Sequence, residues 1–494
     1  MQDLHDLEVL VRSAIPLIVI ETHEERRVRE LFEQLALKLA SPLFVWTVTE
    51  GLARAGALAL EPQTHTREPK EMLGQIKATR SPGIYLIADF HPYLDEPVLV
   101  RYLKDIALAH PDVAHTLVLI SHELKVPPEL ERLSAQFELS IPDRGRVRSV
   151  VLEEAQTWSQ RNYGQNVRTN RRLLDALVEN LLGMPEPDVR RLARGAIDDD
   201  GAISEDDLPA IMKAKYRLLG GDGVLSFEYD TARFADVGGL DRLKQWLDVR
   251  KPVFAGRVNR PGLDVPKGIM LLGVQGCGKS LAAKAVAGAW SVPLLRLDFG
   301  TLYNKYHGES ERNLRASLTQ ADVMSPCVLW IDEIEKGIGG DDTADSGTSK
   351  RILGTLLTWM AENKNRVFLV ATANDIEALP PELLRKGRVD EIFFVDLPDL
   401  ETREIILGIH LRKRDLDPGL LDVHTVAAAA DGFSGAELEQ VVVSSLYAGY
   451  GSDLRLTTEL MLEEVTRTRP LSVVMAERIG ALRVWASSRT VAAD

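Results

Sequence analysis

Residues 273–280 read Gly-Val-Gln-Gly-Cys-Gly-Lys-Ser, a pattern of two glycines separated by four residues and followed by lysine and serine. An apolar segment with strand character precedes it at 268–272, and a segment with helical character follows it at 281–289. Glycines let successive backbone N–H groups turn inward around an anion, and the N-terminus of the following helix adds partial positive charge. The stretch therefore predicts a phosphate-binding loop between a strand and a helix of an α/β fold.

Two side chains of this loop carry predicted chemistry. Lys279 is expected to reach the β- and γ-phosphates of a nucleotide, and the Ser280 hydroxyl is expected to bind Mg²⁺. The rest of the predicted phosphate-binding set surrounds these two residues: Gln275, Gly276, Cys277, Gly278 and Leu281. The cofactors that this pattern predicts are ATP and Mg²⁺.

A second motif follows about 50 residues further on. Residues 328–333 form an apolar run that ends in Asp332 and Glu333. A buried strand has no structural need for paired carboxylates at its tip, whereas a phosphoryl-transfer site needs both. Asp332 is expected to hold the Mg²⁺ shell, and Glu333 is expected to polarise the attacking water.

Two polar features complete the predicted catalytic set. An apolar run at 370–373 leads into Asn374, which is placed to hydrogen-bond the γ-phosphate or the water. Further on, Arg385 and Arg388 lie three residues apart, and an arginine supplied by a neighbouring molecule can stabilise charge on the transferred phosphoryl group. Taken alone, the asparagine also fits an ordinary turn and the arginines a solvated basic turn.

Composition limits the protein classes. The chain has 494 residues, a formal net charge of −14, 45% hydrophobic and 27% charged residues, which favours a soluble multidomain protein over a disordered or fibrous one. Two cysteines favour a reducing compartment over a disulfide scaffold. The acidic balance disfavours nucleic acid as a partner. No apolar run approaches 18 residues and the N-terminus carries acids, so we expect a cytoplasmic protein without a membrane partner.

The order α/β then helical occurs twice along the chain. We expect α/β domains at 1–150 and 223–397, followed by helical regions at 151–222 and 398–494. The first α/β domain has predicted strands at 16–20, 42–48, 83–90 and 116–121. The second has predicted strands at 268–272, 294–298, 328–332, 366–371 and 391–395. The two halves are therefore expected to share an architecture.

The first half lacks a phosphate loop. Its first predicted strand leads into residues 21–25, Glu-Thr-His-Glu-Glu, where no glycine allows the backbone to wrap a phosphate. Thr22 and Glu25 fit a capping box, and three carboxylates would repel a nucleotide. Asp89 occupies the place of a metal-binding acid, but Phe90 follows it. We expect this half to be structural, regulatory or partner-binding, without ATP.

The residues quoted so far resemble those of the AAA ATPases over 234–469. That resemblance implies a helical lid after the ATPase domain and a role for Asn374 as a γ-phosphate sensor. It implies that Arg385 and Arg388 act on the nucleotide of a neighbouring subunit. It also adds positions around the adenine and the lid: Asp236, Val237, Gly238, His410, Gly435 and Ala436.

Residues 304–311, Asn-Lys-Tyr-His-Gly-Glu-Ser-Glu, resemble the pore loop of the same family. The resemblance implies that Lys305, Tyr306 and His307 grip an extended polypeptide in the channel of a ring. A large aromatic side chain beside glycine and charged residues also suits a mobile loop better than a core segment. The alternative is an ordinary helix start in which Tyr306 packs locally.

Nearly the whole chain resembles the divergent AAA proteins of the hypothetical chloroplast frame forty-six type. These proteins occur in plastids, cyanobacteria and other bacteria, so the resemblance implies the bacterial cytosol or the plastid stroma. The leading hypothesis is a Mg²⁺-dependent ATPase that forms a homo-oligomeric ring, a hexamer in this family, and remodels or threads a protein substrate. The alternative is a nucleotide-controlled switch or scaffold whose N-terminal half docks a partner without threading. A motor on nucleic acid is a third, disfavoured possibility.

Overall fold

The computed structural model describes residues 2–55, 63–204, 207–219, 224–228, 237–258, 260–303, 310–338, 346–376, 378–385, 387–451 and 456–494. The chain divides into two compact units. The first contains residues 1–146 and 184–189, and the second contains residues 147–183 and 190–494. The predicted four-part division stays a prediction.

A six-stranded sheet forms the centre of the first unit. Its strands are β1 (Leu17–Glu21), β2 (Leu43–Thr47), β3 (Gly51–Arg54), β4 (Gly83–Ala88), β5 (His115–Ser121) and β6 (Ser134–Gln136). The spatial order is β3-β2-β4-β5-β1-β6, and only β3 runs antiparallel to its neighbour. Parallel pairs need crossover connections, which the intervening helices supply. These helices and their neighbours are α1 (Gln2–Arg12), α2 (Glu25–Leu39), α3 (Pro69–Ala78), α4 (Pro97–Leu108) and α5 (Pro128–Glu131).

Both faces of this sheet are buried, because alternate strand residues enter separate cores. On β4, Tyr85 and Ile87 join a core with side chains of α3 and α4. Ile84 and Leu86 point the other way and pack with Val28 and other residues of α1 and α2. The unbroken apolar runs of the predicted strands are therefore explained by a sheet that is covered on both faces.

The second unit begins with helices and continues into a seven-stranded sheet. The helices are α6 (Arg144–Arg161), α7 (Arg171–Leu181), α8 (Glu186–Asp198) and α9 (Asp207–Leu218), and the first residues of α6 and α8 belong to the first unit. The strands are β7 (Leu225–Glu228), β8 (Gly268–Gly273), β9 (Leu294–Leu297), β10 (Cys327–Ile331), β11 (Val367–Ala373), β12 (Glu391–Val395) and β13 (Val491–Ala492). Their order is β13-β12-β8-β11-β10-β9-β7, and only β7 is antiparallel to its neighbour.

Helices cover both faces of this sheet as well. They are α10 (Asp241–Phe254), α11 (Lys279–Trp290), α12 (Phe299–Tyr303), α13 (Ser310–Val323), α14 (Ile334–Ile338) and α15 (Ser346–Glu362). On β8, Ile269 and Leu271 pack with α10 and α11, whereas Met270 and Leu272 pack with α13 and α15. The carboxyl end of β8 is thereby held rigidly between two cores, and the phosphate loop begins there.

A helical lid follows the sheet and has its own core. It consists of α16 (Leu400–Arg412), α17 (Val423–Ala429), α18 (Gly435–Gly451), α19 (Thr458–Arg467), α20 (Leu471–Val474) and α21 (Ala476–Ala486). Leu407, Val426 and Leu438 bring three of these helices together. The predicted α/β class with a helical lid is confirmed. The chain does not stay helical to its end as expected, since β13 pairs with β12 at the sheet edge.

Candidate functional site

The phosphate loop connects β8, which ends at Gly273, to α11, which begins at Lys279. Gly276 and Gly278 have φ angles of 79° and 87°. Side chains rarely tolerate this left-handed region, which explains glycine at both places. The loop therefore has the backbone conformation and the helix N-terminus that an anion site requires.

Lys279 is held inside this loop. Its side chain is buried, and Nζ donates hydrogen bonds of 2.8 Å to the carbonyl oxygens of both Gly273 and Val274. Burial lowers the pKa of Lys279 to about 8, since the low-dielectric surroundings disfavour its charge. An ammonium group that only backbone carbonyls satisfy is well prepared to exchange them for phosphate oxygens.

Asp332 lies directly after β10 and accepts two hydroxyl hydrogen bonds. Ser280 Oγ donates to Asp332 Oδ1 over 3.1 Å, and Thr372 Oγ1 donates to the same oxygen over 2.6 Å. The structure thus brings together both predicted metal ligands. A hydroxyl and a carboxylate that stand beside a phosphate loop are oxygen donors of the kind Mg²⁺ prefers, so the residues present fit this ion.

Glu333 follows Asp332 with a φ of 48°, an uncommon conformation for a residue with a side chain. Its backbone N–H donates to Thr372 Oγ1 over 3.0 Å, which fixes this turn. Asn374 Nδ2 donates to Glu333 Oε1 over 2.9 Å, and Lys336 forms an ion pair with the other carboxylate oxygen. The predicted catalytic carboxylate and the predicted sensor are therefore in direct contact.

Three residues of this site were not predicted from the sequence: Thr372, Glu335 and Lys336. Glu335 is buried and accepts the Asn374 backbone N–H over 3.0 Å, and burial raises the pKa of its carboxyl group. A signal for Thr372 existed, because residues two apart on a strand share a face and Thr372 precedes Asn374 by two. The other two belong to the short helix after Glu333, which has no diagnostic pattern.

The remaining predicted loop residues have different environments. Gln275 is exposed, and Leu281 packs against the core beneath α11. Burial raises the pKa of the Cys277 thiol to about 12. Cys277 is thus a neutral thiol at physiological pH, which suits a small packing residue rather than a nucleophile.

The lid touches the phosphate loop at the predicted positions. The backbone N–H of Ala436 donates to the carbonyl oxygen of Gly276 over 3.0 Å. A Cβ added at Gly276 would lie 2.9 Å from Ser434 Oγ, and one added at Gly435 would lie 3.4 Å from the Gly276 oxygen. Loop and lid are therefore packed too closely for a larger residue at Gly276.

The segment expected near the adenine lies against lid helix α16. Val237 is buried, and a Cβ added at Gly238 would approach Ile406 Cγ1 to 2.7 Å. His410 lies one helical turn beyond Ile406 and places Nδ1 3.4 Å from Glu439 Oε1. Burial lowers the pKa of His410. Asp236 lies outside the described residues.

Arg385 and Arg388 do not lie close to Lys279 of the same chain. They lie in the turn before β12, and this turn is anchored at the first residue of β8, because the backbone N–H of Asp390 donates to the Gly268 oxygen over 2.8 Å. The phosphate loop leaves the other end of β8, roughly 17 Å away for a strand of this length. Arg385 is exposed, and Arg388 donates to the Leu357 carbonyl oxygen.

The predicted pore loop, Lys305, Tyr306 and His307, lies outside the described residues.

In the first unit, the turn after β1 is closed upon itself. Thr22 Oγ1 accepts the Glu24 backbone N–H over 2.9 Å, and α2 begins only at Glu25. The predicted capping box is therefore wrong, because Thr22 lies too far before the helix to cap it. Phe90 is fully buried in the core, where it cannot assist a reaction.

Comparisons with known proteins extend these observations. The sequence pattern of the ATPase family associated with various cellular activities (AAA) matches residues 269–397. Those of the N-terminal and second domains of SpoVK-like AAA ATPases match residues 3–139 and 145–222.

Relatives match either nearly the whole chain or about half of it. The uncharacterized AAA domain-containing protein ycf46 of Guillardia theta is 34% identical over 99% of this chain and 96% of its own length. The protein of the same name from Pyropia yezoensis is 33% identical over 98% of both chains. The proteasome-activating nucleotidase of Aeropyrum pernix is 36% identical over 47% of this chain and 58% of its own length.

Among the residues that the structure describes, no helix is both long and apolar enough to cross a bilayer. The family patterns and the full-length relatives confirm the resemblance inferred from the motifs. The chain belongs to the AAA family of ATPases, and it is an ATP-binding ATPase similar over its whole length to the ycf46 proteins.

Proposed function

We propose that this chain hydrolyses ATP in a Mg²⁺-dependent reaction within a hexameric ring, and that the cycle remodels or threads a protein substrate. One observation carries the catalytic part of the proposal. Three segments of the chain meet at the carboxyl ends of β8, β10 and β11, and they contribute Lys279 and Ser280, Asp332 and Glu333, and Asn374. This edge of an open α/β sheet is where such folds bind ligands.

Each side chain has a role that its contacts support. Ser280 and Asp332 would hold Mg²⁺, which when bound neutralises charge on the phosphates. Lys279 would release its two backbone carbonyls and donate to phosphate oxygens. Glu333 would accept a proton from the water that attacks the γ-phosphorus, while the bond to the bridging oxygen breaks to leave ADP and phosphate. Asn374 holds Glu333 until substrate arrives.

The ring completes this site. The AAA family generally forms oligomeric rings. Arg385 and Arg388 lie near the amino end of β8, whereas the phosphate loop of the same chain follows the carboxyl end of β8. The nucleotide that these arginines can reach is therefore that of a neighbouring subunit. A guanidinium group supplied in this way stabilises charge on the transferred phosphoryl group.

The substrate and the compartment follow by analogy. We infer that Tyr306, with Lys305 and His307, grips an extended polypeptide, and that the N-terminal half docks a substrate or an adaptor. The name of the Aeropyrum pernix relative links that protein to the proteasome. The ycf46 relatives favour the plastid stroma or the bacterial cytosol.

The Glu333→Gln variant tests the catalytic assignment. It keeps the hydrogen bond from Asn374 but cannot accept a proton, so we expect ATP binding within about twofold of the parent chain. Turnover is expected to fall by roughly 10²–10⁴, the usual effect of losing a general base. Phosphate release and equilibrium ATP binding measure the two effects. Glu362→Gln, an exposed position on α15, is the matched control. Normal turnover by Glu333→Gln would rule the assignment out.

Mixed subunits test the ring. Arg388→Ala is expected to retain ATP binding and to lose about 10³-fold in turnover, the lower range for an arginine supplied in trans. Mixing it with Glu333→Gln subunits should restore activity, because the latter supply an intact Arg388 to sites that have an intact Glu333. If mixing restores nothing although assembly is normal by light scattering, Arg388 does not act in trans.

Tyr306→Ala separates threading from a switch. A threading machine should keep basal ATP turnover and lose substrate unfolding, measured with a fluorescent protein substrate. A switch that docks its partner on the N-terminal half should lose neither turnover nor partner binding. Val249→Ala, exposed on α10, serves as a surface control.

A further inference from the structure

Imidazole and carboxylate groups converge in the first unit, far along the chain from the ATP site. One side-chain atom from each of Asp89, His91 and His122 lies within 4.8 Å of the others. The three residues are exposed or half-buried, so a solute can reach them. Histidine and aspartate in this number are a recognisable set of metal ligands.

The fold places these residues on one edge. Asp89 and His91 follow β4, and His122 follows β5, its parallel neighbour. The next strand in the sheet, β1, is followed by His23, whose ring stacks on that of His122 with centroids 5.9 Å apart. Three histidines that are 99 residues apart at the extremes therefore meet because their strands are adjacent.

The histidines are oriented rather than freely rotating. The His91 ring meets the edge of the His122 ring with centroids 4.8 Å apart. Ser121 Oγ lies 2.8 Å from His91 Nδ1 and donates to Asp89 Oδ1 over 3.4 Å. With its proton directed to Asp89, Ser121 accepts from the Nδ1–H of His91 and leaves Nε2 with a free lone pair. Ligand histidines in metal sites are held through their second nitrogen in this way.

We propose that Asp89, His91 and His122 bind one divalent transition-metal ion of the zinc class, with His23 or a water molecule in the fourth position. Imidazole nitrogen with one carboxylate suits these ions, whereas Mg²⁺ prefers a shell of oxygen atoms. Ligands of a tetrahedral zinc ion lie about 3.3 Å apart. Since the present spread is 4.8 Å, small rotations of exposed side chains close the site.

The site would have a consequence for the first unit. A bound ion would tie the loops after β4 and β5 together at the carboxyl ends of these strands. It would contribute binding free energy to the folded state only, and thus stabilise this unit. The inference rests on the first unit alone and does not depend on the proposed ATPase mechanism.

Titration of the full chain with Zn²⁺ tests the site. Calorimetry is done without nucleotide and with millimolar Mg²⁺ present to occupy oxygen-rich sites. We expect one equivalent to bind with micromolar affinity or better, and the melting temperature of the first unit to rise. Each of His91→Ala and His122→Ala should weaken binding at least tenfold, and Co²⁺ should give a visible absorption spectrum that both variants lose.

His5→Ala is the matched control, because His5 is an exposed imidazole on the same unit outside the cluster. Its affinity should equal that of the parent chain. His122 is exposed, so its loss opens no core, and circular dichroism verifies the fold of each variant. The proposal is overturned if the parent chain shows no saturable binding, or if His122→Ala binds Zn²⁺ as tightly as the parent.

Discussion

The two sheets of this chain share one plan. Reading from β6, the first runs β6-β1-β5-β4-β2-β3, and reading from β12, the second runs β12-β8-β11-β10-β9-β7. In each, only the last strand is antiparallel to its neighbour. The strand that precedes the phosphate loop in the second sheet therefore has a counterpart, β1, in the first.

The difference lies in the turns at the strand ends. After β8, the positive φ angles of Gly276 and Gly278 let backbone N–H groups point toward a phosphate. After β1, by contrast, the Thr22 hydroxyl accepts a hydrogen bond from the Glu24 backbone N–H within the turn. After β10 the acids Asp332 and Glu333 face the loop, whereas after β4 Asp89 is followed by the buried Phe90. We therefore expect nucleotide to bind at the second sheet and not at the first, because binding in such folds depends on the loops rather than on the strand order.

The largest expected effect is the loss of ATP binding by the whole chain when the phosphate loop is mutated. Lys279→Met removes the ammonium group that would bind phosphate oxygens, so affinity should fall a hundredfold or more, about 3 kcal/mol. Equilibrium dialysis should find one ATP per parent chain and none per variant chain. Thr22→Val, at the corresponding turn, should bind one ATP as the parent does. Two equivalents on the parent chain and one on Lys279→Met would show that the first unit also binds nucleotide, whereas one on each would show that Lys279 is not needed for binding.

A smaller effect is expected from the residue that supports Asp332 and the Glu333 turn. Thr372→Val keeps the shape of the buried side chain but loses both hydrogen bonds of Oγ1. Turnover should fall about 10–100-fold, as for other residues that orient metal ligands. Thr372→Ser retains the hydroxyl and should retain most of the rate. Equal rates for the valine and serine variants would contradict the positioning role.

The pH dependence of ATP binding should be smaller again. Without nucleotide, Lys279 has a pKa of about 8, and bound phosphates raise this pKa. Above pH 8, ATP binding is therefore accompanied by the uptake of a proton. Affinity should therefore fall as pH rises through 8, by up to about tenfold at pH 9. Calorimetry in buffers of different ionisation enthalpy measures the proton uptake. Lys279→Arg stays charged and should show no such fall if it binds.

The smallest effect concerns the closed turn of the first unit. Thr22→Val leaves the Glu24 backbone N–H without its partner. The free energy of unfolding should fall by about 1 kcal/mol, the typical net value of one hydrogen bond. Urea denaturation followed by fluorescence measures the loss, and Thr22→Ser is the control. A change below the error of the measurement would mean that water replaces the hydroxyl.

How much the sequence predicts depends on how local each feature is. The phosphate loop is contiguous, so residues 273–280 and their flanks at 268–272 and 281–289 predicted its place between a strand and a helix. Asp332, Glu333 and Asn374 stood at the ends of apolar runs, and the shared edge of a parallel sheet brings such ends together. The contact of Thr372 with Asp332 requires that β10 and β11 are neighbours in the sheet. No pattern within a single segment of the sequence predicts that strand order.

The elements that escaped prediction are short or depend on distant partners. β3, β6, β7 and β13 have two to four residues each, too few to show periodicity. The capping box failed because the pattern fits but α2 begins later than the pattern requires. The histidine cluster could not be seen at all, since its members come together only once the strand order is known.

The packing of Ser434 against Gly276 has a consequence for natural variation. Gly276 is fixed by its own φ, and Ser434 Oγ lies 2.9 Å from the place where a Cβ would stand at that position. The phosphate loop therefore limits the size of the side chain at position 434 of the lid, 158 residues further along the chain. An alignment of related chains should show glycine at position 276 together with small residues at position 434.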